Sequence, residues 1–81
     1  MRTNSFNSPV HVEDPETGLD KTVSTVRQAK AVLDRNWPDY HGSRYEHAEE
    51  VCEAALHGNA EPLAAKQAFI AAAVEAHLKI S

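Results

Sequence analysis

The fold class this sequence predicts is α+β: an N-terminal β-hairpin packed on three α-helices, in the order β-β-α-α-α. Three observations predict it. Apolar and polar residues alternate from Phe6 to Val23 around the turn-forming run Asp14-Pro15-Glu16-Thr17-Gly18, which is the pattern of two half-buried strands. Apolar residues then recur at helical spacing from Val26 to Leu56, broken once at Pro38. Finally, Glu61 to Ile80 is rich in alanine and apolar on two sides, as suits a long helix at the centre of a small fold.

Taken in order, residues 1–5 are polar and read as a loose terminus, with a single domain over residues 6–81. Phe6, Ser8, Val10 and Val12 share one parity. The hairpin is placed at Pro9–Glu13 with Leu19–Val23, and Gly18 supplies a positive φ in its turn. Two strands alone are marginal in water, so the hairpin must lie on the helices, and its open edge could extend a partner's sheet.

Ser24 or Thr25 caps the first helix, whose Val26, Ala29, Leu33 and Trp37 share a face. Arg27, Lys30, Asp34 and Arg35 cover the opposite side. Pro38 disfavours helical geometry at Trp37 and ends the run. Ser43-Arg44-Tyr45-Glu46 has the form of a capping box for the second helix. There Tyr45, Ala48, Val51, Cys52, Ala55 and Leu56 form the inner face, and Glu46, Glu49, Glu50 and Glu53 the outer one. Gly58 suits a left-handed position after the last turn.

The third helix is read from Glu61 to Ile80, with Pro62 in its first turn. Ala65, Phe69, Ala72, Ala73, Ala76 and Ile80 make one apolar stripe, and Leu63, Ile70, Val74 and Leu78 a second. A surface helix normally shows one such stripe. The second therefore needs cover, either from the hairpin or from another chain.

Composition narrows the function classes. Eighty-one residues make one domain, and 13 of them are alanine, which adds little buried area per residue. A core this small rarely supplies more than roughly 3–5 kcal/mol, and small domains often add disulfides, metal or a partner chain. One cysteine excludes an internal disulfide. The net charge is −4 with eight scattered basic residues, which argues against nucleic-acid binding. No apolar run is long enough to cross a bilayer, and the first residues lack the apolar core of a secretory signal. A cytoplasmic location is expected, with no membrane contact.

The spacing Trp37-Pro38, Gly42, Ala48, Cys52, Ala55-Leu56, Gly58, Ala65-Lys66, Ala68-Phe69, Ala72-Ala73 and Glu75-Ala76 resembles domain-of-unknown-function family 982, a group of small alphaproteobacterial proteins. The resemblance runs from about Phe6 to Ile80. It departs at Lys66, where arginine is the more usual residue, so no role that needs a planar two-pronged guanidinium is carried over. It implies no activity, because the family has none assigned.

Chemistry-bearing residues are few. Cys52 has His47 and His57 five positions away on other helical faces and reads as a small buried hydrophobe. His11, His41, His47, His57 and His77 lack metal-ligand spacing, and no cofactor is expected. The glutamates of the second helix read as a solvated face. If a ligand pocket exists, Trp37, Tyr40, His41 and Tyr45 line it. The favoured function is a non-enzymatic interaction module, a homodimer joined through Leu63, Ile70, Val74 and Leu78. The alternative is a small-ligand-binding protein or minor enzyme that uses the Trp37–Tyr45 loop.

Overall fold

Local alternation sets the strands, and their apolar side is the one that is buried. The computed structural model describes residues 5–14, 17–35, 37 and 41–80. Strand β1 is Ser5–Glu13 and β2 is Asp20–Thr25, paired antiparallel with Val10 opposite Val23 and Val12 opposite Lys21. Both strands are longer than expected. β1 advances from Ser5 to Val10 while β2 moves only from Thr25 to Val23. Pro9 stands in this irregular stretch and has no N–H to give a ladder. Phe6, Val10, Val12 and Val23 are all buried, so the hairpin lies on the helices as its parity requires. The turn closes with Asp14 N–H on the Leu19 carbonyl at 2.8 Å and Gly18 N–H on the Asp14 carbonyl at 2.8 Å. Gly18 has φ 76°, which an L side chain would adopt only with strain.

Helix α1, Val26–Arg35, follows β2 without a loop. Thr25 is its cap: the Thr25 Oγ1 accepts the Gln28 N–H at 3.1 Å, and Gln28 Oε1 reaches back to the Ser24 N–H at 2.6 Å. This is a variant of the reciprocal capping box. Val26, Ala29, Val32 and Leu33 are buried. The helix stops at Arg35, so Trp37 reaches the core from beyond its end. Ring centroids put Trp37 5.8 Å from Phe69 and 5.9 Å from Tyr45.

Helix α2, Ser43–Leu56, buries Ala48, Cys52 and Ala55. It ends as the sequence predicts. Gly58 has φ 80°, its N–H reaches the Ala55 carbonyl at 3.1 Å, and the Asn59 N–H reaches the Ala54 carbonyl at 2.8 Å. Those two bonds make a Schellman cap.

Helix α3, Pro62–Glu75, touches α1, α2 and β1. Ala65, Ala68, Phe69, Ala72 and Ala73 fill its inner side, with Phe69 fully buried. It is shorter than the sequence reading. The chain leaves the helix at His77, in the left-handed region at φ 63°. The His77 N–H bonds the Val74 carbonyl at 3.0 Å and the Leu78 N–H the Ala73 carbonyl at 2.9 Å, a second Schellman cap. The reversal sends Lys79 and Ile80 back along β1. Glu13 N–H donates to the Lys79 carbonyl at 2.9 Å, and Ile80 bridges Val12 antiparallel. Part of the strand edge expected to be open is therefore covered by Lys79 and Ile80. Ile80 and Leu78 belong to this return segment, not to the helical stripes.

Candidate functional site

The aromatic candidates meet where α1 runs into α2. His41 stacks on Tyr45 at a centroid distance of 4.0 Å and an interplanar angle of 5°. Trp37 also meets Tyr45, with the two rings tilted at 46°. Tyr40 lies outside the described residues. The Trp37 indole nitrogen is buried and has no hydrogen-bond partner among the described residues. The single hydroxyl proton of Tyr45 is shared between the Leu33 carbonyl at 2.8 Å and Glu49 Oε2 at 3.0 Å. Burial first, and Glu49 second, push this phenol up to about 12. Tyr45 thus pins α2 to α1 through its polar tip while its ring packs against neighbours, the usual division of labour in a tyrosine.

Glu49 does not belong to a wet outer face. It turns toward α1 and takes the Lys30 ammonium at 2.8 Å. Lys30 also meets Asp34 at 3.1 Å and Glu53 at 3.8 Å, and Glu53 reaches His57 at 2.8 Å. The hydrogen bond to Glu49 is the chief cause that lifts Lys30 above the ordinary lysine value. A hydrogen bond shared with Glu49, followed by Lys30, holds Asp34 below the ordinary carboxylate range. The helical period places Glu49 beside Glu46, Glu50 and Glu53, but the crossing of α1 over α2 decides which of them is turned inward.

Cys52 is fully buried. Burial, with the charge of Glu49 behind it, pushes its thiol up to about 12. A thiol held protonated in this way is no nucleophile at neutral pH. Among the described residues no three His, Cys, Asp or Glu side chains converge so that they could hold a metal ion, and no helix is long and apolar enough to cross a membrane.

The second stripe of α3 lies opposite the core. Leu63 is 51% and Val74 62% exposed. Ile70, between them, is half-buried, and Leu78 is half-buried in the return segment. Beside Val74 runs an open groove of about 360 Å³ bounded by Arg44, Ala71, Val74 and Glu75.

One functional arrangement is invisible in the local sequence. The expected capping box of α2 is not formed: Gly42 is the N-cap residue and no side-chain cap bond comes from it. Glu75, from the last turn of α3, supplies the acceptor. Its Oε1 takes the Arg44 N–H at 3.2 Å. A Cβ on Gly42 would stand 2.6 Å from that same oxygen, so glycine is needed here for space. A carboxylate at a helix N-terminus is favoured by the dipole as well as by the bond. Residues 31 positions apart carry no local signal that they will meet.

These features define a small β-β-α-α-α domain with a packed inner helix face and a bare outer one. The chain belongs to the protein family of unknown function DUF982, whose model matches residues 8–80. No curated protein and no solved structure matches it.

Proposed function

We propose that the protein is a cytoplasmic, non-enzymatic interaction module that associates with itself through the outer face of α3. The observation that carries this reading is the pair Leu63 and Val74, exposed on the side of α3 that points away from a filled core. A large aliphatic side chain left in water forgoes part of the roughly 1.5–3 kcal/mol that full burial would contribute. In a domain whose total stability is small, two such residues on one face favour a second surface. The raised, buried thiol of Cys52 supports a role without nucleophilic chemistry. Sedimentation across micromolar to millimolar concentrations tests the reading. The expected result is a concentration-dependent dimer that Val74→Glu converts to a folded monomer. A wild-type chain that stays monomeric throughout would end the proposal.

A second reading, small-ligand binding by Trp37, Tyr40, His41 and Tyr45, draws on the stacked His41–Tyr45 pair. A metabolite that binds only the folded chain would raise the melting temperature, and Tyr45→Ala should abolish that rise.

A further inference from the structure

The left-handed residue that ends α2 is a glycine, Gly58, but the one that ends α3 is His77, at φ 63°, with its side chain exposed. Such a position usually falls to glycine, because a Cβ is unfavourable there. Neither glycine nor proline occurs from Ala76 to Ile80, so nothing local obliges the helix to stop. The reversal is held from outside α3, by the Glu13 N–H on the Lys79 carbonyl at 2.9 Å and by the bridge between Ile80 and Val12. Leu78 and Ile80 are only half-buried in this arrangement. A further turn of α3 would suit the same residues. At 100° per residue Ile80 would fall roughly 20° from the line of Ala73, and Leu78 roughly 40° from that of Val74. The backbone exchange is nearly even. The bonds from His77 N–H to the Val74 carbonyl and from Leu78 N–H to the Ala73 carbonyl would give way to ordinary helical bonds to Ala73 and Val74. The Lys79 carbonyl would lose the Glu13 N–H, while the Lys79 N–H would gain the Glu75 carbonyl.

We infer that residues 77–80 are a strap with two seats, docked along β1 in one and coiled as a further turn of α3 in the other, and that the coiled seat uncovers the edge of β1 at Val12 and Glu13. The strain at His77 sets the balance, because it is present only in the docked seat. Histidine is one of the few side chains that enter the left-handed region with any frequency, so the docked seat is kept but not locked. Glycine at this place would lock it. Release frees the Glu13 N–H and the strand edge beside Val12, the groups that pairing with another strand requires. Exposure of that edge thus depends on a backbone rotation centred on residue 77. The strap operates whether or not α3 pairs with a second copy.

Amide exchange and carbon chemical shifts of the full chain read the two seats separately. His77→Ala weakens the left-handed preference and favours the helix. It should speed exchange at Glu13 by about fivefold and move the Cα shifts of Leu78 and Lys79 toward helical values. His77→Gly should slow Glu13 by about the same factor. In both variants the amide of Phe69, whose side chain is fully buried on α3, should respond less than that of Glu13, because the coiled seat opens Glu13 without unfolding α3. Equal changes at Glu13 and Phe69 would mean that residue 77 alters only the stability of the whole fold, and would overturn the strap. Faster exchange at Glu13 with the Leu78 and Lys79 shifts moving toward coil values would mean that the segment frays, and would overturn the second seat.

Discussion

At the scale of single residues, strain and burial make opposite demands. His77 holds φ 63° without being glycine. A Cβ in the left-handed region is unfavourable by roughly 1 kcal/mol. His77→Gly should therefore stabilise the fold by about 0.5–1 kcal/mol, seen as a higher urea midpoint at unchanged slope. Tyr45 gives a pH-dependent counterpart. Its pKa is raised on folding, from 10.0 to about 12, so the folded state holds the proton more tightly. The stability linked to it is complete below pH 10 and is lost as pH rises toward 12. Lys30, raised by Glu49, shifts stability in the same sense. Chemical denaturation followed from neutral to strongly alkaline pH should show that fall begin near pH 10. Tyr45→Phe should flatten the part due to the phenol.

At the scale of elements, α1 and α2 are capped at their starts in different ways, and the difference can be tested. α1 is capped by its own neighbours, Thr25 and Gln28. α2 borrows Glu75 from α3 at its start and uses Gly58 at its finish. Losing a cap of this kind removes about 1 kcal/mol. Glu75→Ala should do so. Gly42→Ala should do nearly as much, because its new methyl group displaces the same carboxylate. The two effects should fail to add in the double variant, with a coupling near the size of either single effect, measured by a double-mutant cycle in urea. Additive losses would show that Gly42 and Glu75 act separately.

At the scale of the whole molecule, the chain closes on itself through its last residues. The return segment covers part of the edge of β1 through the Glu13–Lys79 hydrogen bond and the Val12–Ile80 bridge. Ending the chain at Leu78 should destabilise it by about 1–2 kcal/mol, from one lost hydrogen bond and one half-buried isoleucine. It should also speed amide exchange at Glu13. Away from this closure, the outer face of α3 exposes Leu63 and Val74.

Much of this fold was legible in the residues themselves. Period-two alternation at Val10 and Val12, the glycine turn at Gly18, the cap at Thr25, the inner stripe of Ala65, Phe69 and Ala72, and the left-handed end at Gly58 are local signals, and each formed as the local chemistry dictates. Of the expected group Trp37, Tyr40, His41 and Tyr45, the rings of Trp37 and His41 each meet Tyr45, as their closeness in sequence suggests, and Tyr40 lies outside the described residues. Three features were not legible. The end of α3 at Glu75 was hidden because Ala76, His77 and Leu78 all suit a helix; the reversal is held by contacts of Lys79 and Ile80 with distant β1. The cap from Glu75 to Arg44 joins distant residues, and the Ser43–Glu46 motif imitated a local solution. The inward turn of Glu49 depends on where Lys30 of α1 comes to rest. Sequence by itself determined the elements and their apolar faces, since these follow from short-range sterics and periodicity. Tertiary structure alone decided which polar groups meet and which apolar face stays bare, because both depend on how preformed elements cross, and no repeat along the chain encodes that.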